Sequence, residues 1–185
     1  MKDALLVIAM KEESQDVFDG YRVLHSGIGK VNAAYALTRA LQEKRPSVVV
    51  NMGTAGSRKH KPGTIVNCTS FIQRDMDVTA LGFEMYKTPF SDTPVTVHYG
   101  QRAEIFPEGV CGTGDNFAAT EQSAAFDVVD MEAYALAYIC QKESVPFLCL
   151  KYISDGADGD AGEDWNAALH RTAEKLKEAL ERIDL

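Results

Sequence analysis

Short apolar runs alternate along the first half of the chain with segments whose apolar residues recur at helical spacing. Residues 4–10 and 48–52 are runs of strand length, and residues 31–41 between them have the period of an amphipathic helix. Further strand-length runs lie at residues 21–25, 64–69, 109–112 and 146–153. This alternation predicts an α/β fold with a mostly parallel or mixed sheet, in which ligands usually bind beyond the ends of strands.

Two further helices are predicted in the second half of the chain. One runs from Asp130 to Glu143, with Asp130 as its N-cap, because Asp is a favoured capping residue and apolar residues follow it at helical spacing. The other runs from about Trp165 to Ile183, is apolar on one side and charged on the other, and is expected to cover the sheet.

The composition narrows the class of protein and of partner. The 185 residues include 27 Asp and Glu against 19 Lys and Arg, a net charge of −8, and the length predicts a single domain over residues 1–185. This acidic balance argues against nucleic acid or an anionic membrane as the main partner, since both require a concentrated positive surface. The four cysteines form no CxxC pair and no leader or membrane span is recognised, so a cytoplasmic protein is expected. The histidines lack the spacing of metal ligands, so no metal site is expected.

Two glycine-containing turns are candidate ligand sites. Residues 26–30 follow a predicted strand and precede a helix, but Asn32 stands where a dinucleotide fingerprint needs glycine and Val31 where a P-loop needs Ser or Thr. Residues 51–56 end another strand in small residues, which lets a ligand approach the backbone. Each turn is equally compatible with ordinary packing. The basic loop at residues 58–61 is expected to be solvated, with anion binding as the alternative.

Carboxylates at the ends of predicted strands are more informative. They are Glu12, Glu13, Asp130, Glu132, Asp155 and Asp158. Any one of them is compatible with a helix-capping role. Because they follow three different strands, we expect them to converge on one rim, where crowded and partly buried carboxyl groups acquire raised pKa values suited to acid–base chemistry near neutrality.

Seven blocks in order along the chain resemble the nucleoside phosphorylase and nucleosidase superfamily, and most closely the bacterial 5'-methylthioadenosine/S-adenosylhomocysteine nucleosidases. The blocks are residues 9–13, 26–31, 51–56, 77–80, 113–117, 129–133 and 153–158. The resemblance implies a three-layer α/β/α sandwich with a central mixed, twisted sheet. It also implies hydrolysis, without a cofactor, of the N-glycosidic bond of an adenine nucleoside that carries a 5' substituent, through a sugar that resembles an oxocarbenium ion.

The resemblance assigns roles to individual residues. Asp155 is similar to the general acid that protonates N7 of the leaving adenine, and Glu13 to the residue that positions the attacking water. Glu132 is similar to the residue that accepts hydrogen bonds from the ribose hydroxyls. Phe117 would stack on the purine, and the backbone of Ala118 would bind its edge.

Further residues are implied to line the pocket. Those around the ribose, the water and the 5' substituent are Met10, Ile28, Thr54, Ala55, Gly56, Asp130, Met131, Ser154 and Trp165. Four more would come from a partner subunit, which implies a homodimer: Val78, Leu81, Phe83 and Pro89.

The chain departs from the family pattern in length and at two positions. An early hairpin between residues 16 and 21 and a helix between residues 94 and 110 are missing or reduced. Lys151 stands where an arginine is common, and Asp130 where a glutamate is common. The pocket walls are the altered part, so futalosine-type and 5'-deoxyadenosine substrates stay open.

Two rival functions follow from the same residues. A phosphorylase would need arginines near the turns after the first and third strands to bind phosphate. Glu12 and Glu13 follow the first strand and would instead repel phosphate. Arg58 and Arg74 keep this alternative open. A nucleoside-binding relative without turnover is the other rival. The presence of both Glu13 and Asp155 favours hydrolysis over either.

Overall fold

The computed structural model describes residues 3–117, 125–157 and 161–183, and for residues 161–170 it describes the backbone alone. Within this part of the chain eight strands form one sheet: β1 (Ala4–Ile8), β2 (Arg22–His25), β3 (Val48–Gly56), β4 (Ile65–Gln73), β5 (Thr96–His98), β6 (Glu108–Thr113), β7 (Val128–Asp130) and β8 (Phe147–Asp155). The α-helices are α1 (Lys11–Ser14), α2 (Lys30–Glu43), α3 (Ala133–Lys142) and α4 (Ala161–Glu181), and a single 3-10 turn spans Thr79–Leu81.

The sheet is mixed, as predicted. The strand order is β2-β1-β3-β7-β6-β4-β5, and β8 pairs with both β3 and β4. Strand β3 is parallel to β1 and to β8, whereas β4 is antiparallel to β5 and to β8. Strand β8 therefore joins two parts of the sheet, and all nine of its residues are buried.

Alternate residues of the strands pack against different helical layers. Leu5 of β1 belongs to the apolar cluster that includes Leu37 of α2 and Leu136 of α3. Its neighbour Leu6 belongs to a second cluster that includes Leu176 of α4. Successive side chains of a strand point to opposite faces, so the sheet lies between α2 and α3 on one side and α4 on the other. This arrangement is the predicted three-layer sandwich.

Helix α3 begins three residues later than predicted, and the expected N-cap role of Asp130 is wrong. Asp130 is the last residue of β7, because Val129 and Asp130 pair with β6 and extend the sheet. The N-cap position falls on Glu132, whose own side chain makes no capping bond. The Asp130 carboxylate nevertheless accepts hydrogen bonds from the backbone N–H groups of Glu132 (3.3 Å) and Ala133 (2.8 Å). It thus stabilises the start of α3 from the end of a strand.

The four cysteines are unpaired and buried. Burial raises the pKa of the Cys140 thiol to about 12, and burial is also the main cause that raises the pKa of Cys111 to about 11. These thiols are therefore protonated at neutral pH. Within the described ranges, no helix combines the length and the apolar character needed to cross a membrane.

Candidate active site

A cavity of about 180 Å³ lies at the ends of β1, β3, β4, β7 and β8. Four carboxylates line it: Glu13, Asp130, Glu132 and Asp155. The least buried of them, Glu132, is only 8% exposed. The structure thus brings together four of the strand-end carboxylates, which come from three separate parts of the sequence, whereas Glu12 is exposed to solvent. Asp158 lies outside the described residues.

Glu13 lies in the short helix α1 directly after β1, and its two carboxylate oxygens differ in their surroundings. Oε1 accepts hydrogen bonds from the backbone N–H of Thr54 (2.9 Å) and from the Thr54 hydroxyl (2.6 Å). Oε2 is buried and has no hydrogen-bond partner among the described residues. The side chain is therefore held in place by one oxygen, and the other can accept a hydrogen bond from a bound molecule.

Asp155 ends β8, and both of its oxygens are oriented by hydrogen bonds. Oδ1 accepts one from the backbone N–H of Ala157 (2.9 Å), and Oδ2 accepts one from the Ser154 hydroxyl (2.7 Å). Gly56 of β3 lies directly alongside, so close that a Cβ atom there would be 2.6 Å from Oδ1. A glycine is thus required at position 56 for the carboxyl group to occupy this place.

Glu132 is buried between the start of α2 and the Asp130 carboxylate. Its Oε1 accepts a hydrogen bond from the backbone N–H of Gly29 (2.8 Å). Burial, with the negative charge of Asp130 as the next cause, raises the pKa of Glu132 to about 7. The group therefore populates both its protonated and its ionised form near neutral pH.

Asp130 forms a buried ion pair with Lys151. The ammonium Nζ lies 2.8 Å from Asp130 Oδ2, and the two side chains are 2% and 1% exposed. The Thr113 hydroxyl donates to Asp130 Oδ1 (2.5 Å). Burial opposes ionisation of Asp130, but Lys151 and these hydrogen bonds hold the pKa of Asp130 below its usual value. In turn, the negative charge of Asp130 holds the pKa of Lys151 well above the usual value for lysine.

The structure also places most of the other residues that the resemblance indicated. Those that line the same cavity are Met10, Ile28, Thr54, Ala55, Gly56, Phe117, Met131 and Ser154. Ile28 and Phe117 are about half exposed, at 46% and 51%, which puts them on its solvent side. Ala118 lies outside the described residues, and the side chain of Trp165 lies in the part of α4 whose backbone alone is described. Val78, Leu81, Phe83 and Pro89 are not among the described residues that line this cavity.

Arg74, which the sequence indicated only as a possible phosphate ligand, and Asn116, which it did not indicate as a site residue, also line the cavity. Arg74 Nη1 donates to Asn116 Oδ1 (2.6 Å), and Nη2 donates to the carbonyl oxygens of Gly114 (3.3 Å) and Asn116. Arg74 thereby fixes the loop that carries Phe117. These contacts join β4 to a loop about 40 residues later, and no local pattern in the sequence encodes them.

Comparison with known proteins gives the family. The family model of the phosphorylase superfamily matches residues 19–185. The chain belongs to the phosphorylase superfamily. Within this superfamily it is 35% identical over 170 residues to the 5'-methylthioadenosine/S-adenosylhomocysteine nucleosidase of Actinobacillus succinogenes, an alignment that covers 80% of this chain and 73% of that protein.

Two solved structures of Helicobacter pylori proteins show the same superfamily fold. The 5'-methylthioadenosine/S-adenosylhomocysteine nucleosidase with butyl-thio-DADMe-Immucillin-A has a TM-score of 0.85 and is 22% identical, over 99% of both chains. Futalosine hydrolase has a TM-score of 0.84 and is also 22% identical, over 99% of both chains. The predicted three-layer sandwich is therefore confirmed as the fold of this chain.

We expect the Glu132 carboxyl group to titrate with a midpoint near pH 7, which carbon-13 NMR of glutamate-labelled protein measures directly. Glu132→Gln assigns the signal because it removes it. Glu13→Gln should lower the midpoint, since the Glu13 charge disfavours ionisation of Glu132. Glu12→Gln, a change of the exposed neighbour, is the matched control and should leave the midpoint unchanged. A midpoint near 4.5, the ordinary value for Glu, would contradict the assignment.

Proposed function

We propose that this chain is an N-ribosyl hydrolase that releases adenine from a nucleoside with a 5' substituent of the methylthioadenosine or S-adenosylhomocysteine type. The observation that carries the proposal is the pair Glu13 and Asp155, two buried and oriented carboxyl groups that face one cavity. The curated relatives of this superfamily member are nucleosidases, which supports the same reaction class.

In this proposal Asp155 protonates the leaving base. Adenine leaves poorly as an anion, so a proton must reach N7 as the bond to the sugar breaks. General acid help of this kind contributes typically about 10² to 10⁴ in rate. The hydrogen bonds from Ser154 and Ala157 would hold the carboxyl group at the angle that the transfer requires.

Glu13 would activate the water. Its Oε2 lacks a partner among the described residues and can accept a hydrogen bond from a water molecule, whose proton it takes as the new carbon–oxygen bond forms. Thr54 holds the other oxygen, so the carboxylate does not have to reorganise during the reaction.

Glu132 would accept hydrogen bonds from the ribose hydroxyls, and Phe117 would stack on the purine. A sugar that resembles an oxocarbenium ion carries positive charge, which the surrounding carboxylates stabilise more strongly than they stabilise the neutral ground state. The acidic lining of the cavity is therefore suited to this transition state.

The arginines that kept phosphorolysis open do not favour it. The guanidinium group of Arg74 is bonded to Asn116 and Gly114, and Arg58 is exposed, with Nε 3.4 Å from the carbonyl oxygen of Ala157. The unpartnered oxygen of Glu13 would repel a phosphate ion at the position of the nucleophile. Water is therefore the nucleophile that we propose.

We further propose that the enzyme is a homodimer in which Val78, Leu81, Phe83 and Pro89 of one copy complete the 5' pocket of the other. Apolar side chains in this segment are exposed, with Leu81 75% and Phe90 97% accessible. Phe83 and Phe90 pack edge to face, with ring centroids 5.4 Å apart. Such a cluster of exposed apolar side chains marks an interaction surface.

The unpaired, buried cysteines suit a reducing compartment, so we place the enzyme in the cytoplasm.

The reaction class is tested by base release from methylthioadenosine, S-adenosylhomocysteine, 5'-deoxyadenosine, adenosine and inosine, each with and without phosphate. We expect free adenine and free sugar without phosphate, with the 5'-thio nucleosides preferred. A sugar 1-phosphate formed only when phosphate is present would overturn hydrolysis in favour of phosphorolysis. No release from any of the five would favour a nucleoside-binding relative.

Asp155→Asn should lower kcat by about 10² to 10⁴ while changing KM little, because the amide keeps the shape of the carboxyl group but cannot donate the proton. The measurement is steady-state kinetics with the preferred nucleoside. Asp19→Asn, the same change at an exposed position, is the control and should retain wild-type kinetics. Equal turnover by the Asp155 variant and the wild type would remove Asp155 from the role of acid.

Leu81→Glu should weaken the proposed dimer, because it places a charge on the exposed apolar surface that the partner would cover. Sedimentation velocity should show a larger monomer fraction, and KM for methylthioadenosine should rise more than KM for adenosine. Pro62→Glu, which also replaces an exposed apolar residue by a carboxylate, is the control and should alter neither. A wild-type chain that sediments as a monomer at all concentrations would refute the dimer.

A further inference from the structure

Lys151 lies in the middle of β8 and is only 1% exposed. It is the most deeply buried lysine among the residues whose side chains the structure describes. Removing an ammonium group from water costs several kcal/mol unless a counter-charge and further hydrogen bonds replace the water. Asp130 supplies the counter-charge at 2.8 Å. Lys151 is not among the described residues that line the cavity, so it acts on a bound molecule only through other groups.

The Asp130 carboxylate connects this buried charge to the turn before α3. Its Oδ2, the oxygen nearest to Lys151, also accepts the N–H groups of Ala133 and Glu132. Its Oδ1 accepts the hydroxyl of Thr113 (2.5 Å). The ion pair thus joins β8 and β6 to the four residues 130–133 that include Glu132.

The side chain of Glu132 is held from the opposite direction by the N–H of Gly29 at the start of α2. Its backbone is set by Asp130 and its carboxylate by Gly29. If Asp130 moved, the backbone of Glu132 would move with it while Gly29 still held the carboxylate. The orientation of the Glu132 carboxylate in the cavity would therefore change.

We propose that Lys151 is a positioning residue for glycosidic bond cleavage, which acts through Asp130 to fix the turn that presents Glu132 to the ribose hydroxyls. The identity of the ribose contact rests on the proposed function, whereas the link from Lys151 to Glu132 rests on the contacts alone.

Burial is the main cause that raises the pKa of Glu132, and the same ion pair also contributes to it. The charged groups that face it are Asp130 from β7, Lys151 from β8 and Glu13 from α1, together with the Gly29 amide at the start of α2. Asp130 and Glu13 raise the pKa of Glu132, and Lys151 and Gly29 lower it, with Asp130 the strongest of the four. Neutralising Asp130 and Lys151 together should therefore lower the pKa of Glu132 below its value of about 7. Since the ionised form accepts the ribose hydroxyls, the acid limb of kcat/KM that Glu132 causes should move to lower pH.

The experiment compares kcat/KM for adenosine and 2'-deoxyadenosine in four variants and the wild type. These are Lys151→Arg, Lys151→Met, the double variant Asp130→Asn with Lys151→Met, and Lys175→Met as a control for loss of an exposed lysine on α4. The wild type should prefer the ribonucleoside, and Lys151→Met should reduce that preference by about tenfold, the usual weight of one hydrogen bond to a charged group. Lys151→Arg should restore it, and Lys175→Met should not change it. A loss of stability alone would lower both rates equally and leave the preference intact.

The double variant keeps the proposal falsifiable if Lys151→Met does not fold, since it leaves no unpaired charge in the interior. It should show a reduced ribose preference and an acid limb at lower pH. A folded Lys151→Met or double variant with the wild-type preference and the wild-type pH profile would overturn the positioning role and leave the proposed function standing. If instead the wild type hydrolyses none of the nucleosides, the proposed function fails. The carbon-13 titration of Glu132 then tests the link from the Lys151–Asp130 pair to Glu132. A midpoint that moves in the double variant supports this link, and an unmoved midpoint overturns it.

Discussion

A carboxylate that is buried loses its hydration, and it stays ionised in the interior only where donors or a counter-charge replace the water. This protein buries four carboxyl groups around one small cavity. Groups at the strand ends donate hydrogen bonds to these carboxylates, and the buried lysine supplies a counter-charge. A glycine leaves room for the carboxyl group of Asp155. The mixed sheet makes the arrangement possible, because β8 pairs with both β3 and β4 and so brings distant strand ends to one place.

The four carboxyl groups have different numbers of hydrogen-bond donors and charged neighbours, so they differ in orientation and in charge. Asp130 is surrounded by donors and a positive charge, so it serves as a fixed anion. Asp155 has a donor on each oxygen and a defined orientation. Glu13 has donors on one oxygen only, and Glu132 has a proton affinity that places it close to neutrality. Chemically similar groups thus acquire distinct properties from their neighbours alone.

Much of this architecture is predictable from the sequence because it depends on local periodicity. Six of the eight strands and the long helices follow from apolar spacing, whereas the three-residue strands β5 and β7 were not predicted. The positions of Glu13 and Asp155 follow from the tendency of α/β folds to bind ligands at strand ends. The roles of individual residues came from family resemblance, since spacing does not encode a reaction. The start of α3 was placed too early because the short strand β7 precedes it without a break in apolar character.

Contacts between distant parts of the chain were not predictable. Arg74 forms hydrogen bonds with the loop that carries Phe117, and Lys151 forms an ion pair with Asp130. Both contacts join residues that share no local sequence pattern. In the sequence Lys151 lies within the predicted strand of residues 146–153, and nothing nearby indicates its partner. Only the three-dimensional structure shows that its ammonium group pairs with the carboxylate of Asp130.

The ion pair of β8 also has a consequence for how the chain folds. Lys151 shares its face of the strand with Cys149 and Ile153, whereas Leu150 and Tyr152 on the other face pack in the apolar layer beneath α4. A slip of β8 by one residue would exchange these faces, and it would move the ammonium group from its carboxylate into a layer of hydrocarbon. An all-apolar strand would tolerate such a slip far better. A single charge in the middle of β8 therefore favours one alignment of this strand among its neighbours, so the residue that orders the turn beside the cavity also specifies the register of the central strand.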